Sequence, residues 1–149
     1  VELLNIPQPL SLVVAMTRTQ GLTAKTVGDV RTARERMPRM YDKIFDDIDA
    51  LVLQAVTAIQ ENRLEDLGQL MNINQGLLNA LRVSTPELEK LIEIARKAGA
   101  LGAKLTGGGG GGAMVALCGS GDDNNSAAVR EALERNGYEA LAFEIGGDA

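Results

Sequence analysis

Apolar residues in the first half of the chain form one short run and then longer helical repeats. The run at 10–15 follows two prolines and predicts a strand. Thr23 is a suitable N-cap for a helix that continues to about Arg36 and stops before Pro38. Spacings of three and four then predict two further helices, each with one stripe toward a core. The stripe residues are Tyr41, Ile44, Phe45, Ile48, Leu51, Val52, Ala55, Val56 and Ile59, then Leu64, Leu67, Leu70, Met71, Leu77, Leu78 and Leu81.

The second half opens with a helix start signal and ends in strands. The run Ser84–Glu87 combines two cap hydroxyls, a first-turn proline and an acid three residues after the serine, as in a capping box. Strands are predicted at 103–105 and 113–118, on either side of a glycine run. A helix ending near Arg135 and a last strand at 138–145 follow. This order predicts an α+β fold, with helices packed on a mostly antiparallel sheet.

Composition and charge narrow the class of protein. Apolar residues make up 45% and charged residues 23% of the 149, close to globular averages, and no repeat or linker divides the chain. We therefore predict one domain over residues 1–149. A net charge of −5 and the absence of Trp argue against a nucleic-acid partner. No apolar run reaches the ~18 residues of a membrane span, so a cytoplasmic protein or fragment without a membrane partner is expected.

The inventory of reactive side chains is short. The sequence has no His, which excludes a His-based triad, a His-ligated zinc site and the usual general base near neutral pH. Cys118 is the single cysteine, and we expect a buried, inert thiol. Asp46, Asp47 and Asp49 form a cluster, but their neighbours favour a solvated helix face over a metal site. Four methionines are predicted to be core residues: Met37, Met40, Met71 and Met114.

Six consecutive glycines, Gly107–Gly112, separate two predicted strands. An ordered glycine run is costly in conformational entropy, so it needs a reason. One reason is a nest of backbone N–H groups turned toward an anion. The alternative is a flexible hairpin loop or a linker of engineered origin. Lys104 and Thr106 beside the run favour phosphate binding, although no Gly-Lys-Ser/Thr follows the glycines as in a Walker A loop.

Three amide side chains interrupt the apolar stripe of the helix predicted from Leu64. Asn72, Asn74 and Gln75 have two interpretations. They make structural hydrogen bonds or face solvent, or they form part of an active-site wall. The pattern itself does not decide between these alternatives.

The segment Lys104–Ala113 resembles the third signature of the GHMP small-molecule kinases and, within that family, most closely the mevalonate kinase branch. The branch's usual wording is Lys-x-Thr-Gly-Ala-Gly-Gly-Gly-Gly-Cys, so the chain departs from it at Gly108 and Ala113. Arg18 also stands where glycine is frequent in archaeal-type members. Further similar segments lie at 9–14, 21–23, 70–78, 83–88 and 98–103, so the resemblance covers nearly the whole chain.

The resemblance implies the C-terminal half of an enzyme that transfers the γ-phosphoryl group of ATP to the hydroxyl of mevalonate, with Mg²⁺, in isoprenoid precursor synthesis. It implies a GHMP-kinase C-terminal domain whose helices pack on one face of a ferredoxin-like sheet. The family's N-terminal domain carries the phosphate loop, the catalytic aspartate and lysine and the acidic magnesium ligand, and none of those motifs occurs here. The implied nucleotide- and substrate-binding residues are Lys104, Thr106, Gly107, Gly108, Gly109, Gly110, Gly111 and Gly112.

In this interpretation the partners are the missing N-terminal kinase domain and mevalonate, and no catalytic or metal-binding residue is assigned to this chain. Neither ATP nor Mg²⁺ is expected to bind tightly to the chain alone. A homo-oligomer is expected, because an interface left without its partner domain favours self-association. The alternative is a stand-alone, truncated or engineered module that self-associates without catalysis.

Overall fold

The computed structural model describes residues 3–19, 23–107 and 112–147. Strands and helices follow each other in the predicted order, with one additional two-residue strand. The elements are β1 (Leu10–Met16), α1 (Thr23–Arg36), α2 (Pro38–Gln60), α3 (Leu64–Ala80), α4 (Pro86–Lys97), β2 (Gly102–Thr106), β3 (Ala113–Ser120), β4 (Asp123–Asn124), α5 (Ser126–Arg135) and β5 (Ala140–Ile145).

The strands form one antiparallel sheet in the order β2-β3-β1-β5, with β4 paired to the end of β3. Val13 lies opposite Ala116 on one side and Ala142 on the other, and Ala116 lies opposite Ala103. Because paired residues point to the same face, these four side chains form a row across the sheet. Together with the next row on that face, they belong to the main hydrophobic core.

Helices α4 and α5 supply most of the buried side chains over this face. Fully buried core residues from the two helices are Leu88, Leu91, Ile92, Ala95, Val129 and Leu133. Leu88 is buried in the first turn of α4, three residues after the N-cap Thr85, whose hydroxyl accepts a hydrogen bond from the Leu88 amide at 3.1 Å. Helices packed on an antiparallel sheet confirm the predicted fold class, with α4 and α5 together on one face.

A second, smaller core covers one end of the opposite face. Leu10 and Leu117, on the strands, pack with Ala58 of α2 and Leu67 of α3. The end of α2 and the start of α3 therefore pass around the β2 edge and bury this corner of the sheet. The remainder of the face, toward the glycine run, is half-buried or exposed.

Several local predictions were wrong in detail. The cap of α4 is Thr85 and not Ser84, because the Ser84 hydroxyl instead accepts a hydrogen bond from Gln75. Val52 is half exposed, although its spacing placed it in the apolar stripe of α2. Met37 and Met40, at the start of α2, are 51% and 67% exposed and are not core residues. No helix in the described part of the chain combines the length and apolar content of a membrane span.

Candidate functional site

The glycine run connects the hydrogen-bonded strands β2 and β3. Gly107 and Gly112, at its two ends, have φ angles of 92° and 104°. Positive φ is readily adopted by glycine and costly for residues with a Cβ, which explains glycine at both positions. Gly108, Gly109, Gly110 and Gly111 lie outside the described residues. The structure therefore describes both ends of the run.

Thr17, directly after β1, holds the far end of the glycine run. Its amide donates to the Gly112 carbonyl at 2.6 Å, and its hydroxyl oxygen accepts from the Gly112 amide at 2.8 Å. Both backbone polar groups of Gly112 are thus bound by a residue 95 positions away in the chain. Sequence reasoning did not single out Thr17. The sequence signal that points to it is a hydroxyl residue at the end of β1. This strand pairs with β3, which directly follows the glycine run.

Lys104 and Thr106 lie at the other end of the run, two residues apart on β2, so their side chains share one face of the sheet. Lys104 pairs with Val115, and Thr106 pairs with Ala113. The Lys104 ammonium donates to the Leu105 carbonyl at 2.6 Å, and burial lowers the pKa of Lys104 from its ordinary value. Thr106 is exposed. A cation and a hydroxyl are therefore adjacent at the base of the loop.

An apolar cleft of about 240 Å³ opens on the other side of β2. Leu105 and Gly107 form its floor, and α1, the end of α3 and the segment after it form its walls. The remaining lining residues are Thr26, Val27, Val30, Leu78, Leu81 and Val83. Mainly aliphatic walls suit a hydrocarbon group rather than a charged one. The base of the glycine run thus has a polar side at Lys104 and an apolar side at Leu105.

The outer edge of β2 is bonded to side chains of α3. The Ala103 amide donates to Asn72 Oδ1 at 3.0 Å, and the Leu105 amide donates to Gln75 Oε1 at 2.8 Å. Residues 72 and 75 are one helical turn apart and 103 and 105 are two apart on a strand, so both amides meet an acceptor on one helix face. For Asn72 and Gln75, the structural interpretation is therefore correct.

The same helix contacts β2 through backbone atoms. A Cβ on Gly68 would overlap the Leu101 carbonyl, and a Cβ on Gly102 would overlap the Gly68 carbonyl. Glycine at 68 and 102 therefore lets α3 approach the strand closely enough for its amide side chains to reach it. Arg96, on α4, also binds the outer edge of β2, since its Nη2 donates to the Ala103 carbonyl at 3.0 Å. Burial lowers the pKa of Arg96, and the charge of Glu89 partly opposes that shift.

Arg18, which stands where the family often has glycine, has a structural role. Its guanidinium donates to the carbonyls of Asn136 and Gly137 at 3.3 and 3.1 Å and lies 4.7 Å from the centre of the Tyr138 ring. Cations near a helix C-terminus and over an aromatic face are both stabilising. The segment that begins at Thr17 is thus also tied to the end of α5.

No three carboxylate or thiol side chains among the described residues lie close enough to hold a metal ion. Asp46, Asp47 and Asp49 lie on α2, where all three are exposed and Asp47 pairs with Lys43 at 3.5 Å. Cys118 is buried, and burial raises the pKa of its thiol to about 11. The predicted solvent exposure of the acidic cluster and the predicted burial of the thiol are confirmed.

The family model described as "GHMP kinases C terminal" matches residues 55–146 of the chain, well over half of it. The chain belongs to the GHMP kinase family. The mevalonate kinase of Pyrococcus horikoshii is 46% identical over 103 residues, which are 66% of this chain and 31% of that protein. The mevalonate kinase of Methanothermobacter thermautotrophicus is 42% identical over 96 residues, 64% of this chain and 32% of its own length.

Solved structures give the same family assignment over more of the chain. This GHMP kinase domain superposes on L. major mevalonate kinase, crystallised in complex with R-mevalonate, with a TM-score of 0.92 and 35% identity. The match covers 99% of this chain and 46% of that structure. The chain thus spans about half the length of that relative and matches about a third of the archaeal ones.

Proposed function

We propose that this chain is the C-terminal half of an ATP-dependent mevalonate kinase. The observation that carries the proposal is the agreement of 99% of the chain with L. major mevalonate kinase at a TM-score of 0.92 and 35% identity. The whole enzyme would be cytoplasmic and would transfer the γ-phosphoryl group of ATP to the hydroxyl of mevalonate, using Mg²⁺, in isoprenoid precursor synthesis.

In this proposal, Lys104, Thr106 and the glycine run form one wall of the active site. The support is their arrangement at one end of the β2–β3 hairpin, with the cation and the hydroxyl on the same face. A cation beside a hydroxyl suits a phosphate group, since charge-assisted hydrogen bonds are the stronger ones. Thr17 holds the Gly112 end of the glycine run by hydrogen bonds, so this end of the loop would already be positioned before a ligand binds. Gly108–Gly111 would complete the wall.

No group of three possible metal ligands lies together among the described residues, and the candidate site residues Lys104 and Thr106 supply no carboxylate to a magnesium ion. Phosphoryl transfer also needs in-line positioning of the two substrates. We therefore assign the metal ligands and the reacting groups to the other half of the enzyme. The chain alone is expected to turn over no ATP and to bind nucleotide weakly.

A chimera tests the proposal. The part of L. major mevalonate kinase that this chain does not match is fused to the start of the chain, and ADP release is measured with ATP, Mg²⁺ and mevalonate. We expect mevalonate-dependent ADP release from the chimera. The chain alone should give no more than a mock-purified control. A folded chimera that binds ATP but leaves mevalonate unphosphorylated would contradict the proposal, as would preference for a different acceptor such as phosphomevalonate.

A further inference from the structure

A buried carboxamide on α3 connects this helix to α4 and to strand β2. Gln75 is 2% exposed. Its Oε1 accepts a hydrogen bond from the Leu105 amide at 2.8 Å. Its Nε2 donates to the Ser84 hydroxyl and to Glu89 Oε1, both at 3.0 Å. Both ends of the carboxamide are therefore engaged, and Glu89 is the ionised member of the group.

The carboxylate of Glu89 decides which way the Gln75 carboxamide faces. A carboxylate only accepts hydrogen bonds and a backbone amide only donates them, so the nitrogen must face Glu89 and the oxygen must face Leu105. The Ser84 hydroxyl can donate or accept and fits either orientation. Without the carboxylate, a half-turn of the carboxamide would place its nitrogen against the buried Leu105 amide and leave that donor unsatisfied. Glu89 thus fixes an orientation that Gln75 alone does not.

The backbone of Leu105 links this orientation to the candidate site. The N–H and C=O groups of one strand residue point to the same side of the strand, and those of Leu105 lie on the outer edge of β2. The amide donates to Gln75, and the carbonyl accepts from the Lys104 ammonium at 2.6 Å. Gly107, the first glycine of the run, follows two residues later. A displacement at the Leu105 amide would therefore also displace the acceptor that holds the ammonium.

Glu89 differs from the other acids of α4 in its surroundings. It is half-buried, and its charge also acts on Arg96, whose guanidinium donates to the Ala103 carbonyl. Glu93, one turn further along the helix, is exposed and pairs with Lys97 at 2.8 Å. The carboxylate of Glu89 is thus the one on α4 that acts on the β2 edge through two partners among the described residues.

We propose that Glu89 is a positioning residue for phosphoryl transfer, because it orients Gln75 and thereby fixes the part of β2 that carries Lys104. This inference rests on the proposed function. Glu89 acts through Gln75 and not on a substrate. Its loss should therefore lower the rate of the reaction more than the affinity for the acceptor, since small displacements of a reacting site reduce the rate strongly.

Steady-state kinetics of the chimera test the proposal. Glu89→Leu removes the acceptor, whereas Glu89→Gln keeps an oxygen that accepts from Gln75. Glu93→Leu is the matched control on the same helix. We expect Glu89→Leu to lower kcat about tenfold and to change KM for mevalonate by less than about twofold. Glu89→Gln should stay within about threefold of the parent kcat, because the hydrogen bond is retained. The control should match the parent chimera.

An exchange of the two side chains tests the orientation itself. Gln75→Glu places two carboxylates against each other and should lower kcat. The double variant Gln75→Glu/Glu89→Gln again has one donor between positions 75 and 89, and the carboxylate at 75 still accepts from the Leu105 amide. We therefore expect the double variant to regain most of the lost kcat. A double variant no more active than Gln75→Glu alone would overturn the proposal.

Hydrogen exchange of the chain, followed by NMR, gives a readout that does not depend on activity. Glu89→Leu should speed exchange of the Leu105 amide about tenfold more than that of the Ala103 amide, which is bonded to Asn72. Equal acceleration at both amides would mean a general loss of stability and would overturn the proposal.

The outcomes separate the positioning role from the proposed function. An active parent chimera whose kcat is unchanged by Glu89→Leu would retain the function and reject the positioning role. An inactive parent chimera would reject the function, and a selective effect on the Leu105 amide would still support the orientation of Gln75 by Glu89.

Discussion

At its beginning, strand β2 touches α3 through backbone atoms at Gly102, and both polar groups of Ala103 are bonded to side chains. At its end, Thr106 is exposed and Gly107 has a positive φ. These two ends belong to a strand of only five residues. The first end has no space for a side chain at Gly102, and both backbone polar groups of Ala103 are bonded. Toward the second end, Lys104 and Thr106 present a cation and a hydroxyl on one face of the sheet. Substitutions at the first end should therefore change stability, and those at the second should change activity.

The largest effect is expected at the closest approach. Gly68→Ala should lower the free energy of unfolding by about 2 kcal/mol, because a clash with the Leu101 carbonyl outweighs the better helix propensity of alanine. Gly76→Ala, on the same helix with nothing within 4 Å, is the matched control and should gain up to about 1 kcal/mol. Urea unfolding measures both. A neutral Gly68→Ala variant would mean that the helix is not held at this distance.

The edge hydrogen bonds should have the next largest effect. Gln75→Leu leaves the buried Leu105 amide without its acceptor at 2.8 Å and should cost about 1–3 kcal/mol of unfolding free energy. Gln69→Leu changes an exposed residue of the same helix and should be nearly neutral. Equal stabilities of the two variants would contradict the role assigned to Gln75.

At the site end, removal of the Thr17 hydroxyl should act locally. Thr17→Val keeps the backbone bond to Gly112 but removes the acceptor of the Gly112 amide. We expect less than about 1 kcal/mol of lost stability, with faster hydrogen exchange of the Gly112 amide measured by NMR. Thr57→Val, at an exposed helix position, is the control. Unchanged exchange at Gly112 would show that the hydroxyl does not hold the loop base.

The effect that is smallest at neutral pH concerns the buried thiol, because the thiol is protonated there in both the folded and the unfolded chain. Burial raises the pKa of Cys118 from 9.0 to about 11, so the unfolded chain loses this proton at lower pH than the folded one. The unfolding free energy should therefore fall as pH rises between 9.0 and about 11, and this contribution should be absent in Cys118→Ala. Parallel pH profiles of the two proteins over that range would be the contrary result.

Local signals in the sequence were sufficient for most of the elements. Helix α1 was predicted over the residues it occupies, and the strands around the glycine run lie within one to two residues of their predicted positions. The start of α4 was misplaced by one residue, since two adjacent hydroxyl residues could both cap it and the contact with Gln75 engages Ser84. The two-residue strand β4 is too short to produce a periodic signal.

The site was predictable in part. Lys104, Thr106 and the glycines were predicted as site residues because unusual residues adjoin along the chain and resemble the third signature of the family. Thr17 was missed because its partner, Gly112, is 95 residues away and ordinary threonines end many strands. The roles of Asn72 and Gln75 also depended on tertiary structure, since helical periodicity gives a face but not the strand that the face meets.

The most direct test of the division along β2 is kcat/KM for mevalonate in the chimera, with and without Lys104→Met, together with the unfolding free energy of the two proteins. We predict a loss of about a hundredfold in kcat/KM, because under the proposed function the substitution removes a positive charge beside a phosphate group. The unfolding free energy should not fall, because burial already disfavours the ammonium. Lys97→Met, at an exposed position of α4, should leave both unchanged. Full activity in a folded Lys104→Met chimera would contradict the assignment of this end of β2 to the active site.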